Sequence, residues 1–443
     1  QDMEDYSLEA RVASPQDQDL RWLAGVNYYH QDLITSGTGG DSVYLCNDSV
    51  TGLPFGACVN SPNTALNTTV FNNNLLNTDN VKTLGFYAAV TYDFTDQFSL
   101  NLEGRYQDDK FTRGAVVRTT AENKTFLPRA ILQFKPNDET NIFVSFARGV
   151  IPPEINQAVI DNSAFARAQF EAQGVKAFTP EETLDNYEIG WKQQFLDNRL
   201  SLNFAGYYGK WDGKKSRIVV SVQYICGDPS SPNNTAGCRP ALGEAGPGQP
   251  ARNANGTPAL RTTNVVVDGN SKIYGFELEG NAALAEGWTS GWTLNYAGNK
   301  FTNFTANFIA PYARFTNVKG NAHARFPKWA GSINSAYTGQ LTSEWEWFVR
   351  GDLSYFGKTF IDVDNLAQCD SYFLANARTG VERDDFRLEL FVKNLFDDDN
   401  YSACSRFSEF DLPFDLNFLT QYQGVIVAPQ NKRQFGLKTS LKF

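Results

Sequence analysis

Six cysteines, two histidines and two clusters of aromatic residues with arginine are the side chains of this 443-residue chain with most chemistry to offer. Cys46 and Cys58 stand twelve positions apart, as do Cys226 and Cys238, each pair in a stretch rich in Asn, Gly and Pro. Cys369 and Cys404 flank the penultimate hairpin of the sequence pattern and can meet at its open end. An even count in loop-like stretches suits disulfides and an oxidising compartment. Zinc is the competing reading, but no His joins any pair. Closing loops of this length contributes roughly 3 kcal/mol each against loop opening.

The histidines offer little. His30 falls at the end of a strand pattern and His323 in a long connection. Neither has a Ser or carboxylate pattern resembling a catalytic triad, so no enzyme is expected. Together they would make at most a metal-binding pair, against the plainer reading of two polar loop residues. Gly37-Thr38-Gly39-Gly40 lacks the strand-to-helix context of a phosphate loop. No cofactor and no metal are expected.

The aromatic clusters suit binding. Connection 150–182 carries Phe165, Arg167, Phe170 and Phe178, with a pattern over Ala164–Gln173 that fits a short helix. Connection 303–325 carries Phe304, Phe308, Tyr312, Arg314 and Phe315. Aromatic rings with Arg suit a metal chelate or a sugar ring. Packing of loop on loop accounts for them nearly as well. Arg167, Phe170, Phe308, Tyr312 and Arg314 are therefore candidate ligand contacts.

What must position these loops is a set of strands. Leu200, Leu202, Phe204 and Tyr208 alternate with Ser201, Asn203 and Ala205; Phe386, Leu388, Leu390 and Val392 alternate with Arg387, Glu389 and Lys393. Period two over about ten residues is the signature of a transmembrane β-strand. Fifteen such spans are expected: 5–13, 20–31, 81–93, 97–111, 125–135, 140–149, 183–195, 199–212, 271–284, 289–302, 326–338, 344–360, 371–383, 385–396 and 433–443. Short turns alternate strictly with the long connections 32–80, 112–124, 150–182, 213–270, 303–325, 361–370 and 397–432. A soluble sandwich has no reason for that alternation, whereas an outer-membrane barrel has short periplasmic turns and long extracellular loops. The fold class expected is all-β, an antiparallel transmembrane β-barrel.

Composition agrees. Aromatics make up 14% of the chain, with Phe 34, Tyr 19 and Met 1, a balance suited to strands and interfacial girdles. No run of about 18 apolar residues exists to form a helical span. The net charge of −10 argues against nucleic acid as a partner. Acidic loops would meet divalent cations or lipopolysaccharide, or simply confer solubility.

The chain ends on Phe435-Gly436-Leu437-Lys438-Thr439-Ser440-Leu441-Lys442-Phe443, an amphipathic strand closed by an aromatic residue. An open sheet edge of this kind invites aggregation, and a closed barrel has none. The segment resembles the C-terminal signal of bacterial outer-membrane proteins, with Phe435, Leu437, Leu441 and Phe443 as the residues offered to the assembly machinery. Fifteen is odd, while single-chain bacterial barrels have even counts. Strand 5–13 runs toward the periplasm, so an upward strand is expected before it. The competing reading is an extra strand within 213–270, where Ile218, Val220 and Val222 alternate; the same residues also read as an extension of strand 199–212 above the membrane. Gln1 leads almost at once into a strand pattern with no signal peptide, as at a cut.

Several segments, in order, resemble the β-barrel of TonB-dependent outer-membrane receptors. They are Leu8–Ser14 with Leu20–Tyr29; Phe146-Ala147-Arg148-Gly149 with Ile151-Pro152-Pro153-Glu154-Ile155-Asn156, where Pro153 or Glu154 replaces a family Gly; Thr179–Glu182 with Tyr187–Lys192; and Phe391–Asp397 with Tyr401, before the closing Phe443. The resemblance implies a barrel of about twenty-two strands holding an N-terminal plug. Residues 1–443 would be its C-terminal portion, with the plug, its energy-coupling box and the first strands absent. It further implies active uptake of a scarce large solute, a ferric siderophore above all, with TonB as partner through the plug. Charged inner positions of both signs, among them Glu9, Arg11, Glu103, Arg105, Glu188, Lys192, Arg350, Asp352, Arg387 and Glu389, suit a plugged lumen better than a pore selective for one sign. The alternatives are a passive porin-like channel, uptake of a carbohydrate, and, more remotely, a barrel enzyme or adhesin.

Overall fold

The computed structural model describes residues 2–36, 76–114, 118–227, 237–309, 313–408 and 423–442. Fifteen strands form one sheet in which each pairs antiparallel with its neighbours in chain order. They are β1 (Asp2–Ala13), β2 (Leu20–Ser36), β3 (Leu76–Asp93), β4 (Phe98–Arg113), β5 (Thr119–Asn137), β6 (Thr140–Ile151), β7 (Glu182–Phe195), β8 (Leu200–Gln223), β9 (Leu260–Ala285), β10 (Trp288–Asn303), β11 (Trp329–Gln340), β12 (Glu346–Phe356), β15 (Tyr372–Arg383), β16 (Phe386–Lys393) and β19 (Gln434–Leu441). Two ribbons stand apart in the long connections: β13 (Thr359–Phe360) with β14 (Gln368–Cys369), and β17 (Tyr401–Ser408) with β18 (Gln423–Pro429). Two helices, α1 (Gln157–Ile160) and α2 (Ala164–Ala172), lie between β6 and β7.

The register explains the alternation. Ala10, Val26, Phe86, Tyr106 and Phe126 stand opposite one another across β1 to β5. Three positions along, an odd step, Glu103 stands between Ala89 and Arg129 on the other face. A side-chain period of two therefore gives the sheet one apolar and one polar face. Phe86 and Phe126 on the apolar face are more than half exposed. An apolar surface of this extent has to meet lipid or another apolar partner, not water.

Several boundaries differ from expectation. β5 starts at Thr119, inside the expected connection 112–124, and β8 and β9 continue to Gln223 and back to Leu260. At the start of β5 the apolar–polar alternation that marks a strand is weak; in the β8 extension it persists at Ile218, Val220 and Val222, whose apolar face is buried among the long connections. The expected strand 344–360 stops at Phe356, and β17–β18 is a hairpin within the expected connection 397–432. Ile218, Val220 and Val222 belong to the extension of β8, opposite Val265, Thr263 and Arg261. Among the described residues β1 and β19 pair with no further strand, and each is a sheet edge. Gly287 (φ +70°) makes the two-residue turn between β9 and β10, where an added Cβ would lie 2.0 Å from the Thr338 carbonyl oxygen.

A packed loop assembly as the candidate functional site

The buried apolar core of this protein lies among its long connections, beyond one end of the sheet. Its base is the β8–β9 extension. A bulge between Trp211 and Lys214, with Gly213 at φ +64°, re-aims β8 where an added Cβ would meet the Glu181 carbonyl oxygen at 2.5 Å. Past it, Ile218, Val220 and Val222 of β8 and Val265 and Val267 of β9 share one buried cluster with Val159, Ala166, Phe170 and Val175. Phe301 of β10 and Phe304, Ala306, Ile309, Ala313 and Val318 of the next connection complete it. Burying each large apolar side chain contributes about 1.5–3 kcal/mol.

Polar side chains fix this packing in register. Ser163 caps α2 by accepting from the Ala166 N–H at 3.3 Å. Asn156 brackets β9, donating to the Val266 carbonyl at 2.8 Å and accepting from its N–H at 2.7 Å. Gln169 of α2 does the same to Gln223, at 2.8 and 2.9 Å. The helix is thereby held along β8 as though it were the next strand.

The candidate contacts separate once placed. Phe170 is fully buried in the core, so it cannot touch a ligand while the loops remain packed; that expectation is corrected. Arg167 donates to the carbonyls of Val159 (3.1 Å) and Ile160, spending its guanidinium on the end of α1. Arg314 is exposed, at a left-handed φ of 59°, and Phe165, Phe178 and Phe315 are exposed as well. Tyr312 and the side chain of Phe308 lie outside the described residues.

Disulfides join Cys226 to Cys238 and Cys369 to Cys404. The first encloses a small core with Tyr224, Ala245, Ala251 and Ala259. The second ties β14 to β17, two separate long connections. Beside it Arg406 reaches Asp362 (3.2 Å) and the buried Asp364. Asn321 donates to the carbonyls of Val363 and Asp364 at 2.8 and 3.0 Å, which brings in a third connection. The sequence reading missed this lock, because Asp362, Asp364 and Arg406 form no motif until the chain folds. Cys46 and Cys58 lie outside the described residues.

The two histidines lie apart, His30 on β2 and His323 in the connection between β10 and β11. His30 Nε2 on β2 is 2.8 Å from Asp32, which also accepts from Asn80 at 2.6 Å. His323 is buried beside β9 and β10: its Nε2 is 2.5 Å from Ser271 Oγ and its backbone N–H meets Asn299 Oδ1. Its ring centroid lies 4.7 Å from that of Phe301 and 5.8 Å from that of Trp211. Burial, with Lys214 nearby, pushes its pKa down to about 4. The Ser271 hydroxyl donates to the Lys300 carbonyl at 2.9 Å and is 2% exposed, so this Ser–His pair offers no accessible nucleophile. Among the described residues no group of three His, Cys, Asp or Glu could hold a metal ion.

On the polar face the expected charges come together as ladders of both signs. Arg129 meets Glu103 at 3.2 Å, Arg21 meets Asp93 at 2.7 Å, and Arg350 meets Asp352 at 2.7 Å. Arg387 bridges Glu382 and Glu389 at 2.6 and 3.0 Å, and Tyr87 donates to Glu9. On the opposite face Phe435, Leu437 and Leu441 of β19 are exposed; Phe443 lies outside the described residues.

Residues 4–395 match the family model of the TonB dependent receptor-like β-barrel. The chain is 25% identical over 331 residues to a probable TonB-dependent siderophore receptor, PiuA, of Acinetobacter baumannii, covering 72% of this chain and 37% of that one. Over 127 residues it is 27% identical to the ferripyoverdine receptor of Pseudomonas aeruginosa, covering 29% and 14%. Its fold matches the ferric yersiniabactin uptake receptor FyuA of Yersinia pestis (TM-score 0.61, 14% identity) over 100% of this chain and 54% of that one. It also matches the solved PiuA receptor (TM-score 0.59, 16% identity) over 100% and 56%. The chain thus spans about half the length of the solved receptors it matches, and less of the curated relatives. A sheet of sequential antiparallel strands with a lipid-compatible outer face, a charged inner face and a packed loop assembly at one end belongs to the TonB dependent receptor-like β-barrel family.

Proposed function

We propose that this chain is the C-terminal part of the barrel of a bacterial outer-membrane receptor that imports a ferric siderophore by TonB-dependent active transport. The observation that carries the reading is the family match over residues 4–395. The relatives' names supply the cargo class, since a siderophore receptor and a ferripyoverdine receptor are among them. The long connections face outward and the short turns face the periplasm. The strands that close the barrel between β1 and β19, and the plug through which TonB acts, lie outside these residues; the two sheet edges left unpaired among the described residues support that reading. The mixed-sign ladders suit a lumen that holds a polar plug rather than an open pore. The protein is a transport receptor, not an enzyme. The outer-membrane assembly machinery reads β19, and outer-leaflet lipid covers the apolar face.

Growth tests this. Cells lacking their own siderophore receptors, given the full natural chain, should grow in iron-limited medium on a supplied ferric siderophore. Growth restored by no siderophore but by a carbohydrate would replace the cargo class.

A further inference from the structure

One row of the apolar face breaks its own pattern. Across β6 to β10, Arg148 stands opposite Asp185, Asp185 opposite Lys210, Lys210 opposite Lys272, and Lys272 opposite Lys300. Five adjacent strands thus place four cations and one carboxylate side by side on the outer surface. Two positions nearer the short turns, the same strands carry Phe146, Tyr187, Tyr208, Tyr274 and Gly298. The Phe146 and Tyr187 rings pack at 5.0 Å with planes tilted by 43°, and the Tyr274 ring lies over Gly298, where an added Cβ would approach it to 2.5 Å. An aromatic row of this kind marks the depth at which hydrocarbon gives way to headgroups. The basic row stands at headgroup level on the side of the long loops.

Part of this charge is already matched. Arg148 holds Asp185 through two bonds, at 2.6 and 2.7 Å, and Lys210 reaches Asp212 at 2.5 Å. Lys272 and Lys300 have no carboxylate within ion-pair distance among the described residues, although they face each other directly. Like charges opposite one another on adjacent strands, about 4.8 Å apart, destabilise a sheet unless an anion lies between them. At the corresponding end of β4 and β5 the lysines are matched: Lys110 meets Glu122 at 2.9 Å and Lys124 meets Asp108 at 3.4 Å. The unmatched pair is therefore a local feature. Below it Phe276, Tyr296 and Trp329 form a continuous aromatic surface, with centroids 4.7–5.9 Å apart, against which acyl chains can lie.

We propose that Lys272 and Lys300, flanked by Lys210, bind the phosphate groups of lipid A, the phosphorylated glycolipid anchor of lipopolysaccharide in the outer leaflet. The sign of the charge selects an anion, its depth selects a headgroup, and the aromatic surface below selects a ligand with acyl chains. The inference rests on the outer-membrane reading above but not on transport.

The test is native mass spectrometry of the full natural chain, purified in non-ionic detergent and titrated with diphosphoryl lipid A. The Lys272→Gln/Lys300→Gln double variant should lower the lipid-bound fraction about ten-fold. The Lys272→Arg/Lys300→Arg double variant and Lys110→Gln should both retain it. Wild type should bind dephosphorylated lipid A as weakly as the glutamine double variant binds the phosphorylated form. Equal binding by wild type and the glutamine variant would overturn the proposal, as would undiminished binding of dephosphorylated lipid A or an equal loss in Lys110→Gln. A receptor that binds lipid A through these lysines yet imports nothing would overturn the transport reading alone. One that imports its cargo but binds lipid A equally without the lysines would overturn this inference alone.

Discussion

Ser271 Oγ and His323 Nε2 stand 2.5 Å apart, joining the wall of β9 to the long connection after β10. Because the Ser271 hydroxyl donates to the Lys300 carbonyl, the network assigns the shared proton to His323 Nε2, which donates to Ser271. With its pKa lowered to about 4 by burial, the ring is neutral at pH 7, and it pins a loop of the apolar core to the barrel.

That pin makes the loop assembly sensitive to acid. The His323 pKa falls from 6.5 to about 4 on folding, so the packed state favours the neutral ring. The stabilisation is complete above pH 6.5, declines as pH falls from 6.5 to 4, and changes no further below 4. The loss amounts to about 3 kcal/mol at most. Hydrogen exchange of residues 304–328 should rise over that window in wild type and stay flat in His323→Gln. An equal rise in the variant would remove His323 as the cause.

Phe170 was a candidate ligand contact and is a core residue instead. Phe170→Ala should cost about 3–5 kcal/mol of loop-assembly stability while leaving the strands folded. Limited proteolysis would then cut within 150–182 while the β-sheet circular dichroism persists. Arg314→Ala, at an exposed position, should leave the protease pattern alone and weaken siderophore binding. If the two variants exchange these effects, the placement is wrong.

The Arg406–Asp364 pair and the Cys369–Cys404 bond secure neighbouring points of the same loops. Cys404→Ser should cost about 3 kcal/mol by freeing a loop. Arg406→Ala should cost about 3–5 kcal/mol, because it strands a buried carboxylate. Accelerated cleavage within 357–371 and 394–433 is the expected readout for both. A cleavage pattern unchanged in Arg406→Ala would show that Asp364 is satisfied without the guanidinium.

The sequence made the membrane-spanning strands legible, since Leu200–Tyr208 and Phe386–Val392 each need an apolar face toward lipid and a polar face inward. It hid what stands beyond the bilayer. Thr119–Lys124 alternates too weakly to mark a strand, and Tyr401–Ser408 belongs to a two-stranded ribbon apart from the main sheet. An aromatic residue in a loop has the same signature whether it packs, as Phe170 does, or is exposed, as Phe178 is. The Asp362–Arg406 contact spans separate connections, and nothing local announces it.

Transport itself is tested most directly by uptake of a siderophore loaded with radioactive iron into cells expressing the full natural chain, with and without TonB. Accumulation that needs TonB and stops when an uncoupler collapses the proton gradient is the predicted result. Equal entry in both strains, insensitive to the uncoupler, would make the protein a passive channel and contradict the account.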